Sequence, residues 1–267
     1  MAESWTSYDS AADCHERLAG PSFFERPARD LVADIDVSAA ARIVDIGTGS
    51  GVAALMASKS APPRAIIMGV DPSIEMLRTA RNHGLRHVAV GGAPGLPLAD
   101  RSFDRVLANF VLSHLSSYEL GLLDMVGLLR PGGRLGVTAW GSIHNEYREF
   151  WQSLAESSVG QDQLAAATRE GIPWDVWFSD AGHLEKAFQE AGLANVKVRR
   201  VVYRIRATIA DFLAIRESTL QGRFIRHHLG AAGWERFKQT TAAEFHRRFR
   251  DPIDHDRDVL IAVGTRP

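Results

Sequence analysis

The sequence predicts an α/β fold, a doubly wound and mostly parallel seven-stranded sheet carrying a helical insertion, and three observations predict it. Residues 42–51 read R-I-V-D-I-G-T-G-S-G: a short β-branched run, an acid and then three glycines. A second apolar run, 65–70, ends in another acid, Asp71, and a helix opening follows at once. Beyond these, short apolar runs alternate with amphipathic stretches of helical length, the pattern of units that build a parallel sheet. At 267 residues the chain accommodates one large domain with an insertion and needs no second core.

Phe23, Phe24 and Pro27 lead a helix over 28–33 whose apolar members pack on the sheet. Ile43, Val44 and Ile46 then suit a buried parallel strand. Gly47, Gly49 and Gly51 let the backbone turn tightly and pass close to a ligand before a helix opens at 52–59. Such a turn presents free N–H groups and the positive end of a helix dipole to whatever lies above the sheet, which makes a cofactor cradle. A dinucleotide fingerprint would need a third small residue at position 52, where the chain has Val52. Asp45 points the same way, because it stands where a diphosphate would lie, and like charges about 4 Å apart repel by roughly 4 kcal/mol at an effective dielectric of about 20. An acid there favours a cationic ligand. Asp71, at the end of the next strand, is placed to accept the hydroxyls of a ribose.

Ala61-Pro62-Pro63 ends the first of these helices. Asp71-Pro72-Ser73 opens another, with Ile74, Met76, Leu77 and Ala80 as its apolar set and Asn82-His83-Gly84 as its stop. Strand three spans 87–90, with a Gly91-Gly92-Ala93-Pro94 loop behind it, and strand four spans 103–108. Strand four ends in Asn109, Phe110 and Val111, then His114, and ligands of open α/β sheets sit at such carboxyl ends. His114 is the group there whose ordinary pKa suits a base near neutrality, its plainer role being a helix-start histidine bonded to backbone. A helix over 118–129 and an Arg130-Pro131-Gly132-Gly133 turn lead to strand five, 134–139.

An insertion, 141–179, follows; its first helix, 146–158, carries Phe150, Trp151, Leu154, Ala155 and Val159 on one stripe. An alanine-rich helix and an aromatic loop with Trp174, Trp177 and Phe178 complete it, either as a satellite core or as the wall of an apolar pocket. Ser179 is the expected cap of a helix over 180–191 that ends at Gly192. Residues 195–206 alternate as strand six, and a capping-box-like Thr208–Asp211 start opens a helix expected to reach about Gln221. Over 223–250, seven Arg or Lys stand against two Glu, with Trp234, Phe237, Phe245 and Phe249 on an apolar face. That reads as a solvated basic face over a packed stripe, the rival being an anion or RNA surface. Asp251-Pro252 breaks this helix, and 259–264 forms the last strand.

V-D-I-G-T-G-S-G followed by G-V-D-P-S-I-E-M resembles the class I methyltransferases that use S-adenosylmethionine, of the kind acting on small molecules. G-L-P-L-A-D-R-S-F-D (95–104) and L-L-R-P-G-G-R-L-G-V-T-A-W (128–140) extend the resemblance over 23–140. It implies S-adenosyl-L-methionine as cofactor, with Asp45, Ile46, Gly47, Thr48, Gly49 and Gly51 at its methionine end and Asp71 at its ribose. Pro72, Met76, Gly92, Ala93 and Pro94 would border the adenine, and Asn109 and Phe110 would lie beside the methyl group. His114 is the candidate catalytic base, and Tyr8, Trp140, Trp174 and Trp177 are candidate acceptor contacts. A single domain over 1–267 is implied, with 1–35, 141–179 and 208–250 as the substrate lid. The chain departs from the family at Gly92, where many relatives carry an aspartate for the adenine amino group; backbone groups of Gly92 and Ala93 are left to read that edge. The N-P-P-Y type sequence of enzymes that methylate nucleic-acid amino groups is absent, since Phe110 and Val111 follow Asn109.

A formal net charge of −1 argues against a dedicated nucleic-acid binder. The single cysteine, Cys14, leaves no internal disulfide and no cysteine-based zinc site, and no other metal-ligand cluster is evident. No secretory pattern opens the chain and no run approaches 18 apolar residues, so the expected compartment is the cytoplasm, away from membranes. The oligomeric state is not written in the sequence. Three rivals to a small-molecule methyltransferase stand: a cofactor-binding enzyme of another reaction such as cyclisation, an RNA methyltransferase recruited by 223–250, and a non-enzymatic cofactor-binding protein.

Overall fold

The computed structural model describes residues 5–6 and 23–267. Its strands are β1 (Arg42–Ile46), β2 (Ile66–Asp71), β3 (His87–Val90), β4 (Phe103–Asn109), β5 (Leu129–Trp140), β6 (Ala194–Ala207) and β7 (Ile253–Thr265). They form one sheet in the order β3-β2-β1-β4-β5-β7-β6. The five strands from β3 to β5 are parallel, and β7 runs antiparallel to both of its neighbours. The chain winds outward from β1 in both directions, so the crevice opens at the carboxyl ends of β1 and β4.

Alternation along β1 sends Ile43 to one face and Val44 and Ile46 to the other. On the first face Ile43 and Leu107 pack with Leu31 and Ile35 of α1 (Glu25–Ile35) and with Ala53 and Ala57 of α2 (Val52–Ser60). On the second, Val44, Ile46 and Val106 pack with Leu122 and Met125 of α4 (Tyr118–Leu128) and with Leu184 and Phe188 of α7 (Ala181–Glu190). Helix α3 (Ile74–Asn82) lies beyond β2, and its Ala80 meets Ala54 of α2. Both faces are covered, as a parallel sheet requires.

A separate core joins α5 (Glu146–Val159), α6 (Gln161–Gly171), α8 (Ile209–Ser218) and α9 (Leu220–Arg248). Trp151, Leu164, Phe212, Trp234, Phe237 and Phe245 are its large members, and Ile253 of β7 belongs to it. The 223–250 stretch is therefore an apolar stripe turned into this core.

Several boundaries move from the sequence-based expectation. Strand β7 begins at Ile253 rather than 259, because β6 pairs with it over the whole stretch from Ala207↔Ile253 to Ala194↔Thr265. Strand β5 likewise begins at Leu129, five residues before position 134, where Leu129 pairs with Phe103. The cap of α7 is Asp180, whose Oδ1 accepts from Gly182 N at 2.7 Å and His183 N at 3.2 Å. Ser179 instead ends a 3-10 turn and donates its hydroxyl to Val176 O at 2.7 Å. Helix α8 stops at Ser218, short of Gln221, and Thr219 caps α9 by accepting from Gly222 N. Helix α9 is kinked at Gly230, whose φ of 64° and ψ of 177° interrupt the helical path.

Candidate active site

The three glycines after β1 have φ of 63°, 53° and 90° at Gly47, Gly49 and Gly51, a region that other residues occupy only under strain. A Cβ at Gly47 would stand 2.6 Å from Val111 Cγ2, and one at Gly51 would stand 3.2 Å from Ala80 Cβ. A Cβ at Gly49 would meet no atom of the described residues within 4 Å, so among them the middle of the turn faces open space. Gly51 caps α2 with no side-chain capping bond, and Ala54 N in its first turn donates to Asp45 Oδ2.

Asp45 is 1% exposed. Its Oδ2 accepts from Thr48 Oγ1 at 2.8 Å and Ala54 N at 3.1 Å, while its Oδ1 is buried with no hydrogen-bond partner among the described residues. Burial pushes this carboxyl up to about 7; the Thr48 and Ala54 bonds resist, and the charge of Asp71 adds to the rise. A buried, half-satisfied carboxylate is costly until a cation or donor reaches it. Asp71 is nearly as buried, its Oδ2 accepting from Gly49 N at 2.8 Å and its Oδ1 from Ser73 N at 2.9 Å. One acid thus ties the glycine turn to the start of α3, where Ser73 caps the helix by accepting from Met76 N at 3.1 Å. Ile46 and Thr48 are buried, and Thr48 N donates to Val70 O at 3.0 Å, holding the turn against β2.

Around the expected adenine position, Met76 is buried, Pro72 and Pro94 are exposed, and Gly92 and Ala93 are partly exposed. No atom of the described residues lies within 4 Å of where a Cβ at Gly92 would be, so among them the missing aspartate leaves space rather than a substitute side chain.

At the end of β4, Phe110 has φ of 61°, a strained conformation for a bulky residue. Thr138 of β5 holds it by accepting from Phe110 N at 2.9 Å, and the same hydroxyl donates to Asn109 Oδ1 at 2.7 Å. The turn places the Phe110 ring on Trp140, centroids 4.0 Å apart and planes 21° from parallel. Phe24 meets both rings edge-on, at 5.4 Å and 5.9 Å. Arg257 of β7 lies over Trp140, its guanidinium carbon 4.3 Å from the ring centroid. Trp140 therefore stands beside the end of β4.

His114 ends a 3-10 turn, Leu112–His114. It touches solvent yet is closely surrounded by protein, and this desolvation holds its pKa below the ordinary histidine value. Asp175 and the Gly171 backbone oppose that shift, and the Arg223 charge adds to it.

Trp174 and Trp177 spend their rings on other parts of the chain. Trp174 donates its indole N–H to Leu115 O at 2.9 Å and meets Tyr118 edge-on at 4.7 Å. Phe178, fully buried, belongs to the sheet core, so this loop anchors the insertion to the sheet. Trp177 stacks on His183 at 3.5 Å. Tyr8 lies outside the described residues. Trp5 is described, and its carbonyl accepts from Arg223 Nε at 2.9 Å.

A further set was not singled out by the sequence pattern: Arg148 of α5, Arg216 of α8, and His255 and Arg257 of β7. Arg216 keeps some solvent contact, yet desolvation and the Arg148 charge push it down to about 10 against the pull of Asp175. Burial, with Arg148 and Arg216 adding, takes Arg257 to about 9. Both stay charged at neutral pH. In sequence none of the three arginines differs from an ordinary solvated arginine; only the fold brings them together with His255.

A family model described as a methyltransferase domain matches residues 44–137. A demethylmenaquinone methyltransferase of Mycobacterium sp. (strain KMS) is 28% identical over 182 residues, covering 65% of this chain and 76% of that protein. A putative methyltransferase from an antibiotic biosynthesis pathway of Anabaena variabilis shares the fold with a TM-score of 0.60 and 15% identity, over 91% of this chain and 98% of that one. Haemonchus contortus phosphoethanolamine N-methyltransferase 2, solved with S-adenosyl-L-methionine, gives 0.57 and 15% over 97% of this chain and 57% of that one. The fold and the glycine-acid cradle define a Rossmann-like, nucleoside-cofactor transferase. Residues 44–137 match the methyltransferase domain, and the protein is an S-adenosylmethionine-dependent methyltransferase with S-adenosyl-L-methionine as its cofactor. The open space at Gly49 and the unpartnered Asp45 Oδ1 fit that cationic cofactor.

Proposed function

We propose that the enzyme methylates a small-molecule acceptor at an oxygen, nitrogen or carbon nucleophile, at the carboxyl ends of β4 and β5 beside the α5–α6–α8–α9 core. The observation that carries this is the ring cluster of Phe24, Phe110 and Trp140 beside the cofactor turn, which suits a compact, partly apolar acceptor. The small-molecule methyltransferases among the relatives support it.

When bound, S-adenosyl-L-methionine supplies a sulfonium methyl group that the acceptor's electron pair displaces, leaving S-adenosylhomocysteine. The chain's work is to bind, orient and exclude water, and such positioning contributes roughly 7–11 kcal/mol of barrier reduction. In this reading Asp45 and the Gly47–Gly51 turn hold the methionine end, and Asp71 the ribose. Gly92, Ala93, Pro94, Pro72 and Met76 border the adenine, with Asn109 and Phe110 next to the methyl group. His114, neutral near pH 7 through desolvation, takes the proton of an O–H or N–H acceptor. The cytoplasm is the proposed compartment; among the described residues no helix is long and apolar enough to cross a membrane.

The apolar stripe of 223–250 is occupied by the cap core and Arg223 is turned inward, so no observation favours the RNA reading. The test is incubation with labelled S-adenosyl-L-methionine and an acceptor panel, read by mass. A gain of one methyl supports the reading; cofactor binding with product of unchanged carbon count sinks it in favour of cyclisation or scaffolding.

A further inference from the structure

We propose that the acceptor carries an anionic group, a carboxylate or a phosphate monoester, received by Arg148, Arg216 and Arg257 beside Trp140. This rests on the small-molecule methyltransferase reading above and names its substrate class. Arg257 lies over the outer face of the Trp140–Phe110 stack, one ring away from the end of β4. Arg216 reaches across from α8 to the Trp151 ring of α5, 5.8 Å from its centroid, and Arg148 precedes Trp151 by three residues, on the same side of that helix.

Among the described residues none of the three arginines has an ion-pair partner within 4.0 Å, although other surface arginines of the chain do. Asp175 is the acid whose charge acts on both Arg216 and Arg257. Asp258 also acts on Arg257, but its carboxylate is committed to Arg200 at 2.9 Å and Ile143 N at 3.0 Å. Arg148 acts on both Arg216 and Arg257 while Asp175 is the one uncommitted acid acting on that pair, so the three guanidiniums carry a cationic surplus, which is costly until an anion enters. Guanidinium forks match the paired oxygens of a carboxylate or phosphate.

A neutral donor points to the same ligand. His255 precedes Arg257 by two residues on β7 and therefore shares its face. Asn145 Oδ1 accepts from Arg148 N at 2.9 Å, which leaves Asn145 Nδ2 to donate to His255 Nδ1 at 2.9 Å. The proton of a neutral His255 is then on Nε2, and this atom is buried with no hydrogen-bond partner among the described residues. Burial lowers the His255 pKa, a backbone bond to Asp256 opposes the shift, and the charges of Arg257 and Arg216 add to it, so the net shift keeps it a neutral N–H donor.

The test is calorimetric titration of the full chain saturated with S-adenosylhomocysteine, using benzoate, phenyl phosphate and the uncharged benzamide as ligands. At least one anion is expected to bind about tenfold or more tightly than benzamide, and the preferred one identifies carboxylate or phosphate. Arg257→Gln and Arg216→Gln are each expected to weaken that anion about tenfold while S-adenosylhomocysteine affinity, which reports the intact fold, stays within about twofold. Arg257→Lys is expected to recover part of the loss. Equal binding of benzamide, absence of binding by both anions, or anion affinity unmoved in both Gln variants overturns the inference while leaving the methyltransferase intact. Failure of the wild type to bind S-adenosylhomocysteine overturns the functional reading and this inference with it.

Discussion

The cofactor half of the molecule and its cap are built by different means. Around β1 and β2 the site is made of backbone: three left-handed glycines, free N–H groups and two acids that hold the turn in place. Over the carboxyl ends of β4 and β5 it is made of side chains from α5, α8 and β7, far apart in sequence and gathered by the separate cap core. The first region is specified locally and admits few residue types. The second is specified by packing, so its chemistry changes with single substitutions that leave the fold standing. On the proposed function, one half fixes the donor and the other is free to choose the acceptor.

Four substitutions break or sharpen that contrast, from the largest expected effect downward. Asp71→Ala removes the proposed ribose acceptor and also releases Gly49 N and Ser73 N. It is expected to weaken S-adenosyl-L-methionine by about two to three orders of magnitude in calorimetry, and near-normal affinity would refute the ribose role. Trp151→Ala empties the middle of the cap core and is expected to cost about 3–5 kcal/mol in denaturant unfolding. A loss below about 1 kcal/mol would mean that the cap core is not the stabilising unit described.

His114→Ala is expected to lower turnover about a hundredfold with cofactor affinity unchanged. Because the His114 pKa is lowered, the wild-type rate is expected to fall only on the acid side of the ordinary histidine range. Full activity would return His114 to its bond with the Gly171 backbone. Asp45→Asn has the smallest expected effect, with the opposite sign on stability. Asp45 is raised from 3.8 to about 7 in the folded chain, so the native state binds its proton more tightly than the unfolded state. Stability is therefore lost as pH rises from about 4 to about 7, by up to about 4 kcal/mol. The amide is expected to recover about 1–3 kcal/mol of that at pH 8, and a variant less stable there than the wild type would contradict the buried-charge cost.

The same contrast explains what could be read without a structure. Strand β3 and the capped starts of α3 and α4 follow from local signals, as do the three glycines, whose positive φ the residue type announces. Adjacent Ser179 and Asp180 are both good caps, and only the three-dimensional path makes Asp180 the one that accepts from α7. The start of β7 is hidden in Asp254, His255, Asp256 and Arg257, whose alternation has charge on both faces and so lacks the apolar period of a strand. Phe110 gives no sign of its left-handed turn, since bulky residues avoid that region unless a partner such as Thr138 holds them there. The arginine cluster was beyond pattern reading altogether, because solvated and converging arginines look alike in sequence.

The most direct measurement is the affinity of S-adenosyl-L-methionine from pH 5.5 to 8.5 for the wild type and for Asp45→Asn. With the unpartnered Asp45 Oδ1 meeting the cationic end of the cofactor, wild-type affinity is expected to rise with pH and level off above about 7. Asp45→Asn is expected to bind more weakly at pH 8 and to show a flat profile. Identical profiles and equal affinities in the two proteins would contradict the assignment of the cradle.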